Sequence, residues 1–87
     1  MLDHAVLEMA APNAVLKLQL LLQRENKLKF IESLERNRID KKEILRTNTT
    51  LNQQKRRELE RLVEYLEKRI KATQTQCINL TNRIHLL

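Results

Sequence analysis

Glycine and tryptophan are absent from this 87-residue chain, and proline, cysteine, phenylalanine and tyrosine occur once each. Without glycine no position takes a left-handed backbone angle free of cost, so tight hairpin turns and phosphate-cradling loops are all but excluded. A single cysteine forms no internal disulfide, which excludes a stapled secreted miniprotein. Two aromatic rings are too few to fill a compact enzyme core, and a chain of this length buries only about 60% of its unfolded surface. Long uncharged runs are also missing. The apolar stretch at the start, MLDHAVLEMAAPNAVLKLQLLLQ, carries Asp3, Glu8 and Lys17. Its longest uncharged run falls far short of the roughly 20 residues a membrane span needs, and it has no basic leader. These absences lead us to expect an intracellular protein of the cytoplasm or nucleus, with no membrane partner. Two matches to the glycosylation sequon, Asn48-Thr49-Thr50 and Asn79-Leu80-Thr81, are then read as chance.

What the chain does contain is leucine, isoleucine and charge. Hydrophobic residues make up 41% and charged residues 32%, the mix of long helices and coiled coils. The clearest pattern is in the second half. Leu59, Val63, Leu66, Ile70, Thr73, Cys77, Leu80, Ile84 and Leu87 follow one another at spacings of four and three. At 100° per residue they form one narrow stripe, the seam of a left-handed coiled coil. We therefore expect a long helix over residues 51–87 with an oligomerisation seam along it. The first half is expected to be helical over residues 13–47, on a broader stripe of Leu16, Leu20, Leu28, Ile31, Leu34, Ile39 and Leu45 widened by Phe30. Asn13 is its expected cap, with Pro12 as the boundary to a short N-terminal segment, residues 1–12. Within that segment Asp3 is placed to cap a short helix whose apolar face is Val6, Leu7 and Met9.

Thr47-Asn48-Thr49-Thr50 is a run of poor helix formers between the two stretches. We expect a bend at residues 48–50, with Asn48 as a left-handed helix terminator. Thr50 and Gln53 form a capping box that starts the next helix. Nearly equal arms around this centre define an all-α fold: an antiparallel helical hairpin that associates as a coiled-coil or four-helix bundle. The alternative is one continuous helix per chain in an extended parallel coiled-coil dimer.

Charge is unevenly placed. Residues 1–40 hold six basic and six acidic side chains, whereas residues 41–87 hold eleven against five. Lys41, Lys42, Arg46, Lys55, Arg56 and Arg57 crowd the expected bend, accompanied only by Glu43. Such a cluster suits an acidic partner, or the phosphates of a nucleic acid bound with strong salt dependence. A basic zipper would need a longer basic region, and single-strand binders need interleaved aromatic rings, which this cluster lacks. The far end is the opposite in character. Val15, Leu16, Leu18, Leu20, Leu21 and Leu22 surround the helix axis and, continued by Leu28, Ile31 and Leu34, mark a partner-binding apolar surface. Ile78 and Leu86 also lie off the heptad seam.

Catalytic and metal constellations are not evident. Cys77 and His85 stand eight residues apart, about 12 Å along a helix, too far for one ion. Cys77 falls on the seam, where it reads as a small buried hydrophobe. No cofactor, metal or small-molecule ligand is implied. We expect a non-enzymatic assembly or scaffold subunit within a multiprotein complex, acting by helix–helix packing. Its expected partner is a second copy, with a dimer foremost, or another helical subunit. The other reading is a small basic nucleic-acid-binding module.

Overall fold

In a computed structural model the protein is an antiparallel hairpin of two helices, α1 (His4–Thr47) and α2 (Gln53–His85), with no strand among the described residues. The structure describes the backbone of residues 4–87, and side chains from residue 13 onward. The expected cap at Asp3 and the face made by Val6, Leu7 and Met9 lie outside that description. The hairpin is a rod of 69 × 23 × 14 Å. Its length matches 44 residues of α1 at about 1.5 Å each. The continuous-helix alternative is set aside.

The stripe expected in α2 is its interface with α1. Val63, Leu66, Ile70, Thr73, Cys77, Leu80 and Ile84 are all buried. Leu59 is half-buried near the bend, and Leu87 is 46% exposed beyond the last helical turn. The seam expected to join separate chains is thus occupied by α1 of the same chain.

The register of α1 differs from expectation. Its inward positions are Leu20, Arg24, Lys27, Ile31, Leu34, Arg38, Lys41 and Leu45, at alternating spacings of four and three. Leu20 and Ile31 are buried, whereas Leu16, Leu28 and Ile39 are 38%, 50% and 58% exposed. The reason is geometric. A helix packed on a strict heptad partner keeps the 3.5-residue repeat facing it, and Leu28 and Ile39 lie one position off that repeat. Four half-buried cations stand on it instead, with aliphatic stems suited to covering apolar surface; the Nε of Arg38 is buried without a hydrogen-bond partner.

These cations divide the core. At the end away from the bend, Leu20 packs with Leu80 and Ile84, with Leu21 alongside. Further along, Ile31 packs with Ile70, Cys77 and Leu34. Between the two clusters Lys27 Nζ donates to Gln76 Oε1 (2.8 Å) and Arg24 Nη1 donates to Thr81 Oγ1 (3.3 Å). Thr73, 2% exposed, turns its hydroxyl back to donate to the Arg69 carbonyl at 2.8 Å, so its polarity stays within α2.

Three local expectations are corrected. The first helix starts at His4 and runs through Pro12, rather than starting at Asn13; one proline removes one backbone donor, and the remaining ladder carries the helix past it. Asn48 is not left-handed, since no described residue has positive φ. Its Oδ1 instead accepts from the Thr50 backbone N–H (3.1 Å) and the Thr50 hydroxyl (2.7 Å). That turn uses up Thr50, so the bend extends through Asn52. Asn52, with extended backbone angles, caps α2 by accepting from the Lys55 N–H at 2.8 Å.

Candidate functional site

Two regions carry the features expected to act: the bend, with its basic side chains, and the open end, with its leucines.

At the bend, Arg56 is half-buried and spans the two helices. Its Nη1 donates to the Leu45 carbonyl (3.3 Å) and its Nη2 to the Asn48 carbonyl (3.4 Å). Carbonyls in the last turn of a helix lack intrahelical partners, and a guanidinium placed there satisfies them. Lys42 Nζ pairs with Glu67 across the interface at 2.9 Å. That hydrogen bond, more than the charge alone, holds the Glu67 carboxyl below its ordinary value. Arg46 chelates Glu43 one turn away, and the same bond pushes its guanidinium pKa upward. Half of the expected basic cluster is therefore bonded to groups of the hairpin itself, Lys42 and Arg46 in exposed ion pairs. Lys55 and Arg57 remain exposed and Lys41 is half-buried. Arg57 and Arg61 line, with Gln53 and Gln54, an open concavity of about 480 Å³ beside the first turns of α2.

At the open end the helices are unequal in length: α1 has 44 residues and α2 has 33. Leu20 already meets the last buried residue of α2, Ile84, so the part of α1 preceding it runs on past the end of its partner. This explains why Val15, Leu16 and Leu18 are 51%, 38% and 57% exposed. Leu22 and Leu28 are about as open because they lie off the inward repeat. The apolar surface expected from sequence is thereby split. Leu20, Ile31 and, in part, Leu21 and Leu34 belong to the core. Val15, Leu16, Leu18, Leu22 and Leu28 stay outside.

The two broad sides of this end differ. Leu18, Leu21, Glu25 and Leu28 share one stripe of α1, being three or four residues apart. On the same side α2 presents Ile78, which is 60% exposed, and Thr81. Arg24, Leu28, Cys77, Ile78, Thr81 and Asn82 enclose a shallow groove of about 300 Å³ between the helices. The opposite side carries Leu16, Gln19, Gln23, Asn26 and Phe30 on α1, and Gln76, Asn79 and Arg83 on α2. One side is leucine-lined and grooved, the other carries amides between Leu16 and Phe30. Sequence reasoning found the leucines but missed this sidedness and the place of Ile78 in the groove. Extending the heptad of α2 back through α1 from Leu45 would have revealed both.

Among the described residues no three His, Cys, Asp or Glu side chains gather where they could hold a metal ion. Nor is any described helix long and apolar enough to cross a membrane. Cys77 is a free, buried thiol. The fold and surface define an antiparallel α-helical hairpin with one exposed apolar end. Compared with protein-family models, curated proteins and solved structures, the chain matches none.

Proposed function

We propose that the protein is a non-enzymatic assembly subunit that joins other helices into a complex through its open end. One observation carries this reading. Leu18, Leu22, Leu28 and Ile78 are each at least half exposed while the core packs without them. Burying a leucine or isoleucine side chain contributes about 1.5–3 kcal/mol, so leaving four open at one end is costly unless something covers them. A third helix or helical pair laid along that end covers them in the geometry of a helix bundle. The test is the native mass of the chain in extract, against a variant carrying Leu18→Ser, Leu28→Asp and Ile78→Asp. The reading predicts that the wild-type chain travels in a particle well above its own 10.4 kDa. The variant, still helical, travels alone. A wild-type chain travelling alone overturns the reading.

The nucleic-acid reading keeps one supporting observation, the exposed Lys55 and Arg57 with Arg61 beside the start of α2. It is weakened because Lys42, Arg46 and Arg56 are engaged within the fold. A gel shift at low salt decides it: no retarded species removes it.

A further inference from the structure

We infer that the two cation pairs on the inner face of α1, Arg24 with Lys27 and Arg38 with Lys41, are a built-in bar to self-association. They close the two-helix core along both broad sides, so that a second copy cannot complete it as a four-helix bundle. The inference stands apart from the assembly reading, which concerns the leucine-lined groove.

The pairs are part of a repeat. Leu20, Arg24, Lys27 and Ile31 recur two heptads on as Leu34, Arg38, Lys41 and Leu45. Within a pair the heads go to opposite sides of the seam. Arg24 reaches across to Thr81 on the groove side (3.3 Å), whereas Lys27 reaches Gln76 on the other side (2.8 Å). The second pair keeps this order. Arg38 acts on the carboxyl of Glu67, which lies two heptads before Thr81 on the same stripe of α2. Lys41 takes the side of Leu62, two heptads before Gln76.

For the hairpin alone this arrangement is costly. The cations face a stripe of α2 that is apolar but for Thr73, and the Nε of Arg38 is buried without a hydrogen-bond partner. Apolar residues at such positions commonly give a more stable bundle, and a charged residue there trades stability for a fixed oligomeric state. The side away from the groove shows what is held off. Phe30 and Ile44 of α1 and Tyr65 of α2 are exposed there. Lys27 and Lys41 each precede one of the first two by three residues, about one helical turn. Without the lysine heads, these side chains join the half-buried Leu34 and Leu62 in an apolar strip, the kind of surface on which hairpins pair into four-helix bundles. With the heads in place, a second copy on this side brings Lys27, Lys41, Lys55, Arg69 and Arg83 against the same five cations. At the same helical positions only Asp40 and Glu58 oppose them.

The test uses the full chain carrying Ile78→Asp, which takes the groove out of play. To this reference is added Lys27→Met with Lys41→Met, which keeps unbranched stems and removes the charged heads. A control carries Lys29→Met with Lys68→Met instead, two lysines whose side chains are 70% and 76% exposed. Light scattering over a concentration series gives the mass, and circular dichroism the helicity and melting temperature. Reference and control are expected at the 10.4 kDa of one copy, and the seam variant at twice that mass with a higher melting temperature. Lys27→Arg with Lys41→Arg, which restores the charge, is expected to return to one copy. The inference is overturned if the seam variant keeps single-copy mass, if the control associates equally, or if the reference is itself a dimer. A seam variant that loses its helicity also overturns it, because the lysines then serve folding and do not keep copies apart. The assembly reading is decided separately, by the wild-type mass in extract.

Discussion

Arg56, in the first turn of α2, donates a hydrogen bond to the backbone carbonyl of Leu45, in the last turn of α1, at 3.3 Å. A second bond reaches the Asn48 carbonyl. The side chain thus closes a bend that has no glycine to turn it. Arg56→Ala is expected to destabilise the hairpin by about 1–2 kcal/mol, seen as a lowered urea midpoint. Arg57→Ala, one residue on and exposed, is expected to change it little. Equal effects from the two substitutions would deny Arg56 its role as a clasp.

Asn52 is the other device at the bend. Its side chain accepts from the Lys55 N–H, one of the donors a helix leaves unpaired at its start. Asn52→Ala should cost about 1 kcal/mol, while Asn52→Asp should cost little, since aspartate caps comparably. Thermal melts of the three proteins check the order. If Thr50→Ala rather than Asn52→Ala carries the larger loss, the cap has been misplaced.

How much of this was legible in the sequence depended on which side chains formed the interface. In α2 the interface from Val63 to Ile84 is apolar but for Thr73, and a hydrophobicity pattern finds it. In α1 half of the interface is Arg24, Lys27, Arg38 and Lys41. Their charge removes them from any apolar stripe, although their stems are what pack. Leu16, Leu28 and Ile39 were then enlisted in their place and proved to be exposed. The bend was legible as a run of weak helix formers. Which residue capped α2 was not, because Asn48, Thr50 and Asn52 are all competent, and the choice follows from Asn48 capturing Thr50 first. At the candidate site the leucines of residues 15–22 were visible as an excess over what two helices bury. That Leu18 and Leu21 share a side with Leu28, whereas Leu16 and Leu22 do not, required the register.

The core makes a sharp contrast between two leucines of the same size. Leu66 is 3% exposed and Leu22 is 52% exposed. Leu66→Ala is expected to cost about 2–5 kcal/mol through lost burial and the cavity left behind. Leu22→Ala should stay within about 0.5 kcal/mol in the isolated chain. Denaturant titration separates them. A Leu22→Ala loss as large as that of Leu66→Ala would mean that Leu22 is packed in the isolated chain.

The pairing of Lys42 with Glu67 has a pH signature. The hydrogen bond from Lys42 lowers the carboxyl from its ordinary value of 4.5. The stabilisation is therefore fully present above that ordinary value and is lost as pH falls through the lowered one. Wild type should melt at a higher temperature than Glu67→Gln at pH 7 and at pH 5. The gap should close as the solution is taken well below pH 4, and narrow in high salt because the pair is solvent-exposed. A gap independent of pH would show that the variant disturbs packing instead.

The most direct test of the central claim, that the leucine-lined side of the open end is where another helix packs, is site-specific photocrosslinking. The crosslinker is placed at Ile78 in one variant and at the adjacent Asn79, on the amide-covered side, in another. Both positions are exposed, so neither should disturb the hairpin. Irradiation in extract is predicted to give a discrete higher-mass adduct from position 78 and none from position 79. Adducts of equal yield from both positions, or from neither, would contradict the account.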